Sequence, residues 1–410
     1  MGMELDALTD EVLHRCDVLG GISDEPNQLT RTYLSTATRE AQGHLSHWMI
    51  EAGLAVRTDA VGNVVGRMGG GQKVFIVGSH IDTVPNAGKY DGILGVMLGI
   101  AAAKYLRDRS FAHRLEVVAF SEEEGVRFRF PYIGSLAICG QLTSEHLEKQ
   151  DWDGRTVTGA IRVFGLNPEE VAKAAYPLGS VIGYLEAHIE QGPVLEAKNL
   201  PLGIVPAIMG QTRAMLTFTG MAGHAGTQPM ELRRDALAAA AVFISTVEEC
   251  GRATPGLRAT VGSLTVSPNA GNVVPGEAIL SLDVRHEYDA VRTASVEKLK
   301  AGAEEIGRTR GIGVTFQVSL DHPAVPCEPI MTARLATAMQ AGGHSPEPVL
   351  SGAGHDAAVM AGICPVAMLF LRSPGGISHH PDESVSREDV RAALGVMVRF
   401  LESELQRHVY

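Results

Sequence analysis

The stretch VFIVGSHIDTVPNAGKYDGILGVMLGIAAAKYLRDR, residues 74–109, carries the pattern that decides the fold. Its first seven residues are mostly apolar, which is typical of a strand buried on both faces of a sheet. Residues 92–109 then place apolar side chains at helical spacing, and a second apolar run, LEVVAF, occupies residues 115–120. A strand, a helix and another strand in this order predict a parallel sheet covered by helices.

The same alternation returns close to the end of the chain, after a middle segment of a different kind. CPVAMLFL (364–371) is predicted to be a further strand, and residues 386–407 open with a Ser-x-x-Asp cap and continue as a long amphipathic helix. The middle segment predicts antiparallel strands and helices, with Asp235 as a helix cap. Its predicted strands are 215–220, 260–266 and 278–286, and its predicted helices are 235–250 and 291–307.

These patterns predict an α/β fold with an inserted domain. The main domain is expected to hold a mainly parallel sheet flanked by helices, and the insert is expected to be α+β. Prolines in the segment 321–329 suit a hinge at the end of the insert. We place the first part of the main domain at 1–210, the insert at 211–325 and the second part of the main domain at 326–410.

Composition excludes several classes of protein. The net charge of −12 argues against nucleic acid or an anionic membrane as a partner. The longest apolar stretch, 236–247, is too short to cross a bilayer, and no signal-peptide pattern opens the sequence. The five cysteines form no C-x-x-C pair, so we expect reduced thiols and a soluble cytoplasmic protein.

Histidines and acids gather where the predicted strands end, which is where ligands bind in such sheets. Each residue alone has an ordinary interpretation, such as a helix cap for Asp91 or a buried core histidine for His188. Together they are the imidazole and carboxylate ligands that divalent metals use, and cations would balance the gathered acids. The group comprises His80, Asp82 and Asp91, the run Glu122–Glu123–Glu124, His188 between Glu186 and Glu190, and His379 and His380.

At this point the chain resembles a known family over nearly its whole length. It resembles the amidase/hydantoinase/carbamoylase branch of the M20 metallopeptidase-like superfamily, which includes allantoate amidohydrolases, N-carbamoyl-L-amino acid hydrolases and β-ureidopropionases. The shared motifs, in order, are GSHIDTVPNAGKYDG (78–92), SEEEGVRF (121–128), EAHIEQGPVLE (186–196), GMAGHAGTQPM (220–230), NVVPG (272–276), SGAGHDA (351–357) and GISHHPDE (376–383).

The resemblance implies a site for two divalent metal ions in each subunit, Mn²⁺ or Zn²⁺, with Co²⁺ or Ni²⁺ also suited to the ligand set. His80 and His188 would bind one ion, Glu124 and His379 would bind the other, and Asp91 would bridge both.

The resemblance also implies roles around the metals. Asp82 would orient His80 through a hydrogen bond, and Glu123 would be the catalytic general base. We expect Glu122 to face solvent or a basic neighbour such as Arg127. His380 occupies a position that the family leaves variable.

Substrate contacts are expected from both domains. In the family the insert is a lid that also forms the homodimer interface, and the match implies that His224 stabilises the oxyanion in the partner subunit. Arg285 would bind a carboxylate, for which guanidinium is well shaped, although a solvated strand end stays open as an alternative. The implied substrate-binding residues are Gln191, His224, Asn272, Arg285, Gly354 and His355.

The implied function is metal-dependent hydrolysis of the ureido C–N bond of a small carboxylate, a step of ureide catabolism. Allantoate is favoured because EEEGVRF, soon followed by Gly-Ser at 134–135, resembles the allantoate amidohydrolases more than the other members. N-carbamoyl-L-amino acids and 3-ureidopropionate are close alternatives. An aminoacylase or dipeptidase is more remote, since such relatives usually carry an acid where this chain has His188. A non-catalytic binding protein on this fold is a further alternative, although no ligand and no base is missing.

Overall fold

The computed structural model describes residues 2–407, and the chain divides into two compact units. Unit 1 comprises Met1–Pro206 and Cys327–Tyr410, and unit 2 comprises Ala207–Pro326. The sequence had suggested 211–325 for the insert. Met1 and residues 408–410, which the expected domains include, lie outside the described residues.

Unit 1 is built on a seven-stranded sheet, with strands numbered along the whole chain. The order is β1-β2-β4-β3-β5-β16-β6, and the neighbours β4-β3-β5-β16 are parallel, while the outer strands pair antiparallel. The predicted mainly parallel sheet is therefore confirmed. The strands are β1 (Ala55–Thr58), β2 (Val64–Met68), β3 (Val74–His80), β4 (Arg114–Phe120), β5 (Val181–Ile189), β6 (Leu202–Val205) and β16 (Val366–Leu371).

Helices pack against this sheet and enclose its core. The predicted helix 92–109 is α3, which is shorter than expected, and the predicted C-terminal helix is α12, where the Ser386 hydroxyl accepts the Asp389 N–H at 3.0 Å. The helices are α1 (Gly2–Gly20), α2 (Thr36–Glu51), α3 (Ile93–Leu106), α4 (Ile133–Ile138), α5 (Ser144–Leu147), α6 (Val157–Val163), α7 (Val194–Ala197), α10 (Pro329–Ala341), α11 (Asp356–Met360) and α12 (Arg387–Gln406), with 3-10 turns at Pro168–Ala174 and Pro374–Gly376.

Unit 2 is an α+β unit with its own core. Its main sheet is antiparallel, with β10 and β11 on one side of β13, then β8 and β14. Asp235 caps α8 as predicted, through the Ala238 N–H at 2.9 Å. The elements are β7 (Ala207–Ile208), β8 (Gly210–Thr219), β9 (Gly223–His224), a 3-10 turn (Met230–Leu232), α8 (Ala236–Ala253), β10 (Arg258–Thr260), β11 (Leu264–Ser267), β12 (Val273–Val274), β13 (Glu277–His286), α9 (Asp289–Arg310), β14 (Gly313–His322) and β15 (Val325–Pro326).

One predicted strand of unit 2 is wrong in its extent. The sequence predicted a single strand over 260–266, but the structure contains two short strands, β10 and β11, that pair with different parts of β13. Gly262 lies in the gap, and a glycine weakens a strand because it has no side chain to pack.

The sheet geometry positions the polar residues found in the sequence. Parallel pairing sets His80, the last residue of β3, beside Phe120, the last residue of β4. It likewise sets His188 of β5 beside Phe370 of β16. The carboxyl ends of the four parallel strands therefore meet at one edge. No helix in residues 2–407 is long and apolar enough to cross a membrane.

The close approach of α3 to β5 provides a test of this packing. A Cβ on Gly95 would lie 2.2 Å from the Ala187 carbonyl oxygen, so the first turns of α3 reach β5 only without a side chain. We expect Gly95→Ala to lower the free energy of unfolding by about 1–3 kcal/mol through overpacking, measured by urea denaturation.

Gly43→Ala in α2 is the matched control for that substitution. A Cβ there meets nothing within 4 Å, so the alanine should stabilise the helix by about 0.5–1 kcal/mol. Equal effects of the two substitutions would contradict the packing argument.

Candidate metal centre

Asp91 lies at the centre of the site, and its two carboxylate oxygens face different histidines. Oδ1 is 3.4 Å from Nε2 of His80 and 3.1 Å from Nε2 of His188. Oδ2 is 3.2 Å from Nε2 of His379, which in turn lies 3.7 Å from Oε1 of Glu124. All five residues expected as metal ligands thus come together, in two groups that share Asp91.

The backbone around Asp91 holds it in place. Glu383 Oε1 accepts the N–H groups of Tyr90 at 2.8 Å and Asp91 at 3.0 Å. Gly92, which follows, has a φ of 69°, and a Cβ on it would lie 2.5 Å from the ring of His80. Only glycine therefore lets Asp91 and His80 approach so closely.

Two further donors reach Oδ2 of Asp91. Nε2 of Gln191 donates to it at 2.8 Å, and the hydroxyl of Ser378 donates to it at 2.9 Å. Sequence reasoning did not identify Ser378 or Glu383. Both lie within four residues of His379 in the motif GISHHPDE, which is the signal that could have pointed to them.

The two buried histidines are oriented with the same ring nitrogen towards Asp91. Nδ1 of His80 donates to the Asp82 carbonyl at 3.0 Å, and Nδ1 of His188 donates to the Ile189 carbonyl at 2.9 Å. Backbone carbonyls only accept, so Nδ1 carries a proton, and Nε2 is the nitrogen whose lone pair is available to a cation when the ring is neutral. Nε2 of His188 makes no hydrogen bond within the described part of the chain.

Asp82 does more than the predicted orientation of His80. Its carboxylate lies 3.4 Å from Nδ1 of His80, and it also accepts the backbone N–H of Glu123 at 2.9 Å and of Glu124 at 3.1 Å. One buried carboxylate thus connects the loop after β3 with the loop after β4. It holds the acidic run against the histidines.

The electrostatics of the cluster favour added positive charge. Burial opposes charging His80, but the hydrogen bonds that its ring donates to Asp82 and Asp91 outweigh this effect and raise the pKa of that imidazole well above its usual range. Contact with Asp91 raises the pKa of His379 to about 9, and burial with the nearby Asp91 charge raises the pKa of Glu124 to about 7. Without a cation the cluster therefore attracts protons to compensate its carboxylates.

The donor set fits divalent cations. Each of the two groups offers one atom per residue, and these atoms lie within 4.8 Å of one another. Imidazole with its lone pair turned inward and shared carboxylate oxygens are the donors of hydrolytic metal sites. A third group, His80 with Glu123 and Glu124, overlaps the first two.

The structure corrects the expectation for Glu122. This residue was expected to face solvent or Arg127, but it is 1% exposed. Its Oε2 accepts the Ile133 N–H at 3.4 Å, whereas Arg127 pairs with Asp151 at 3.0 Å. The segment that starts α4 folds over Glu122, and burial raises the pKa of its carboxyl well above the usual range.

His380 lies apart from the donor groups. Its side chain is exposed, and Nδ1 accepts the Asp382 N–H at 3.2 Å. His379, the neighbour that was expected to be the ligand, has its ring beside Asp91.

The three substrate-binding residues expected in unit 1 lie around the same centre. Gln191 contacts Asp91, as described above. A Cβ on Gly354 would lie 3.7 Å from Oε1 of Glu123, so Gly354 borders the expected general base. The ring of His355 is 1% exposed, bonds Ser351 at 2.7 Å and packs on His188 with ring centres 4.6 Å apart. His355 therefore packs against His188, an expected metal ligand, and its contact with substrate stays a prediction.

The other three expected residues lie in unit 2. His224 and Asn272 are neighbours, because β9 pairs with β12 and the Ala225 N–H donates to the Asn272 carbonyl at 2.9 Å. Arg285 donates through Nε and Nη2 to Asp283, at 2.8 and 2.9 Å. Its guanidinium is therefore already paired with a carboxylate of the protein, and its contact with a substrate carboxylate stays a prediction.

Fold and site together define a hydrolase with a metal-binding cluster at the edge of a parallel sheet. The family model for Peptidase family M20/M25/M40 matches residues 76–403. The chain belongs to this family, which is metal-dependent, and within it to the amidases of the hydantoinase/carbamoylase group.

Relatives are similar over nearly the full length. The chain is 39% identical over 440 residues to "Probable allantoate deiminase" of Oryza sativa subsp. japonica, with 98% of this chain and 89% of that one covered. It is also 39% identical over 385 residues to "N-carbamoyl-L-amino acid amidohydrolase" of Geobacillus stearothermophilus, covering 92% and 94%.

A solved structure shares the architecture. The amidase of the hydantoinase/carbamoylase family from Burkholderia multivorans has a TM-score of 0.91 at 30% identity and covers 98% of each chain. The expected family and fold are thus confirmed, and the chain is an enzyme that hydrolyses C–N bonds.

The position of Asp82 leads to a test of the metal centre. We expect Asp82→Asn to lower the affinity for Zn²⁺ or Mn²⁺ roughly 10- to 100-fold, because the amide replaces one of the two oxygens that accept the Glu123 and Glu124 N–H groups by a donor. Competition with a chelator measures that affinity. Asp153→Asn, at an exposed position, is the matched control. Equal affinities in both variants would show that Asp82 does not organise the centre.

Proposed function

We propose that this enzyme hydrolyses the ureido C–N bond of a small carboxylate, with allantoate as the preferred substrate. The observation that carries the proposal is the pair of donor groups sharing Asp91, with the acid Glu123 directly beside them. The names of the relatives supply the substrate class, since they describe allantoate and N-carbamoyl-L-amino acids.

His80 and His188 would hold one divalent ion, Mn²⁺ or Zn²⁺, Glu124 and His379 would hold a second, and Asp91 would belong to both groups. Divalent cations at such a centre supply Lewis-acid polarisation of a carbonyl and a lowered pKa for water, about 7 in zinc enzymes. The remaining chemistry belongs to side chains of the protein.

Glu123 is the proposed proton carrier. It takes a proton from the attacking water and delivers it to the departing nitrogen. The Asp82 carboxylate accepts the backbone N–H of Glu123, and Oε1 of Glu123 faces the space beside Gly354. Glu123 is 8% exposed, so the carboxylate acts in a largely dry site. The products would be ammonia, carbon dioxide and an amine or ureido acid.

The proposed roles of unit 2 are substrate binding and dimer formation. Arg285 and Asn272 would bind polar groups of the substrate, and His224 would stabilise the oxyanion. The homodimer contact would also lie on unit 2, where Met215, Leu232 and Val242 are among the exposed apolar side chains. All five cysteines are free thiols, which supports a cytoplasmic location.

N-carbamoyl-L-amino acids are the second candidate. The chain is 39% identical to the relative named for N-carbamoyl-L-amino acids, and it is also 39% identical to the relative named for allantoate. Both substrate types carry a ureido group and a carboxylate, so the same donor groups serve either one.

A substrate panel tests the proposal. After chelation and reloading with Mn²⁺ or Zn²⁺, we expect ammonia release from allantoate to exceed that from N-carbamoyl-L-amino acids and 3-ureidopropionate. Chelated protein should be inactive, because no positive charge then polarises the carbonyl. A coupled ammonia assay with metal analysis measures both. Inactivity of fully loaded protein on all three ureides would refute the proposal, and preference for a dipeptide would indicate a peptidase.

Adjacent acids give a matched pair of variants. Glu123→Gln should lower kcat by roughly 10²- to 10⁴-fold and keep the metal content, since it removes only the proton carrier. Glu124→Gln should lose one metal equivalent per subunit, because it removes a ligand. Steady-state kinetics and elemental analysis distinguish the two. The opposite assignment of effects would exchange the roles of these residues.

A further inference from the structure

Tyr132 brings a hydroxyl to the space beside the general base. A Cβ on Gly354 would lie 2.0 Å from the Tyr132 hydroxyl oxygen and 3.7 Å from Oε1 of Glu123. The phenol and the carboxylate therefore border the same small volume in unit 1, and glycine at position 354 leaves that volume open.

The Tyr132 hydroxyl makes no hydrogen bond within residues 2–407. Tyr184, by contrast, is buried and donates to Glu186 at 3.0 Å. A phenol oxygen both donates and accepts, so this one is available to a ligand.

The backbone holds Tyr132 in an unusual conformation. Its φ of 71° and ψ of 23° are left-handed, which is a costly region for an aromatic residue and one that occurs preferentially at functional sites. The following turn is anchored, because the Ile133 N–H donates to Glu122 and the Gly134 carbonyl accepts from Asn63 at 3.0 Å. Glu122 thus helps to position Tyr132.

We propose that Tyr132 is a further substrate-contacting residue, whose phenol oxygen accepts a hydrogen bond from the terminal ureido nitrogen. The inference rests on the proposed function. Glu123 must reach the nitrogen that departs as ammonia in order to protonate it, so that nitrogen lies beside Oε1. The phenol borders the same space and meets the same NH₂ group. Tyr132 therefore favours a ureido group over an acetyl group, in which a methyl group replaces the terminal NH₂.

Calorimetry with two ligands tests this contact. The ligands are N-carbamoylglycine and N-acetylglycine, which differ in the terminal NH₂ or CH₃, and the parent is metal-loaded Glu123→Gln, which should bind without turnover. Adding Tyr132→Phe should raise the Kd for N-carbamoylglycine roughly tenfold, because a buried N–H loses its acceptor. The Kd for N-acetylglycine should change less than twofold.

Tyr105→Phe is the matched control, because Tyr105 lies on α3 and its hydroxyl makes no hydrogen bond within residues 2–407. It should change neither Kd. Equal effects of Tyr132→Phe on both ligands, or none, would overturn the proposal, as would a parent that does not bind N-carbamoylglycine. Wild-type turnover of the ureide panel reports separately on the proposed function. Selective loss of ureide binding in a protein without that turnover would keep Tyr132 and reject the reaction.

A second pair of variants tests, without any ligand, whether Tyr132 and Gly354 lie in contact. Gly354→Ala should lower the Tm, because its Cβ meets the Tyr132 hydroxyl. Adding Tyr132→Phe removes that oxygen and leaves the ring carbon Cζ nearest, at 3.2 Å, so the Tm should largely recover. A double variant no more stable than Gly354→Ala would show that the two residues do not share this space.

Discussion

The carboxylate of Asp91, with one oxygen facing two imidazoles and the other facing a third, is the interaction on which the centre depends. Asp91 is 3% exposed, and a charge buried to that extent is tolerated only where it is paired and hydrogen-bonded. Gln191 and Ser378 supply hydrogen bonds, and Glu383 fixes the backbone of Asp91. A divalent cation in each group would complete the compensation that protons otherwise provide.

Parallel pairing of four strands makes this arrangement possible. Strands in one direction end at one edge, so the residues that follow them gather although they are distant in sequence. His80 and His379 are brought to one carboxylate in this way. Gly92 and Gly95 then let the loop and helix approach more closely than any side chain would permit. The geometry of the site therefore requires glycine at position 92, and the packing of α3 requires it at position 95.

Three consecutive acids show how neighbours in sequence acquire different environments. Asp82 accepts the backbone N–H groups of Glu123 and Glu124, and this holds the loop so that the Glu124 side chain faces His379. Glu122 points away, under the first turn of α4. Charge alone suggested that Glu122 would be solvated, and this was wrong because burial depends on a segment that folds back over it.

The sequence by itself determined the alternation of strands and helices and the α+β insert, because periodicity reflects local burial. Residue type indicated a metal site, and the resemblance to a known family identified Asp91 and the four residues that gather around it. Only the tertiary structure decided which side chains meet: Asp283 with Arg285, Ser378 with Asp91, and Tyr132 with Gly354. Such partners depend on how separate loops pack in space, and no local pattern in the chain encodes that packing.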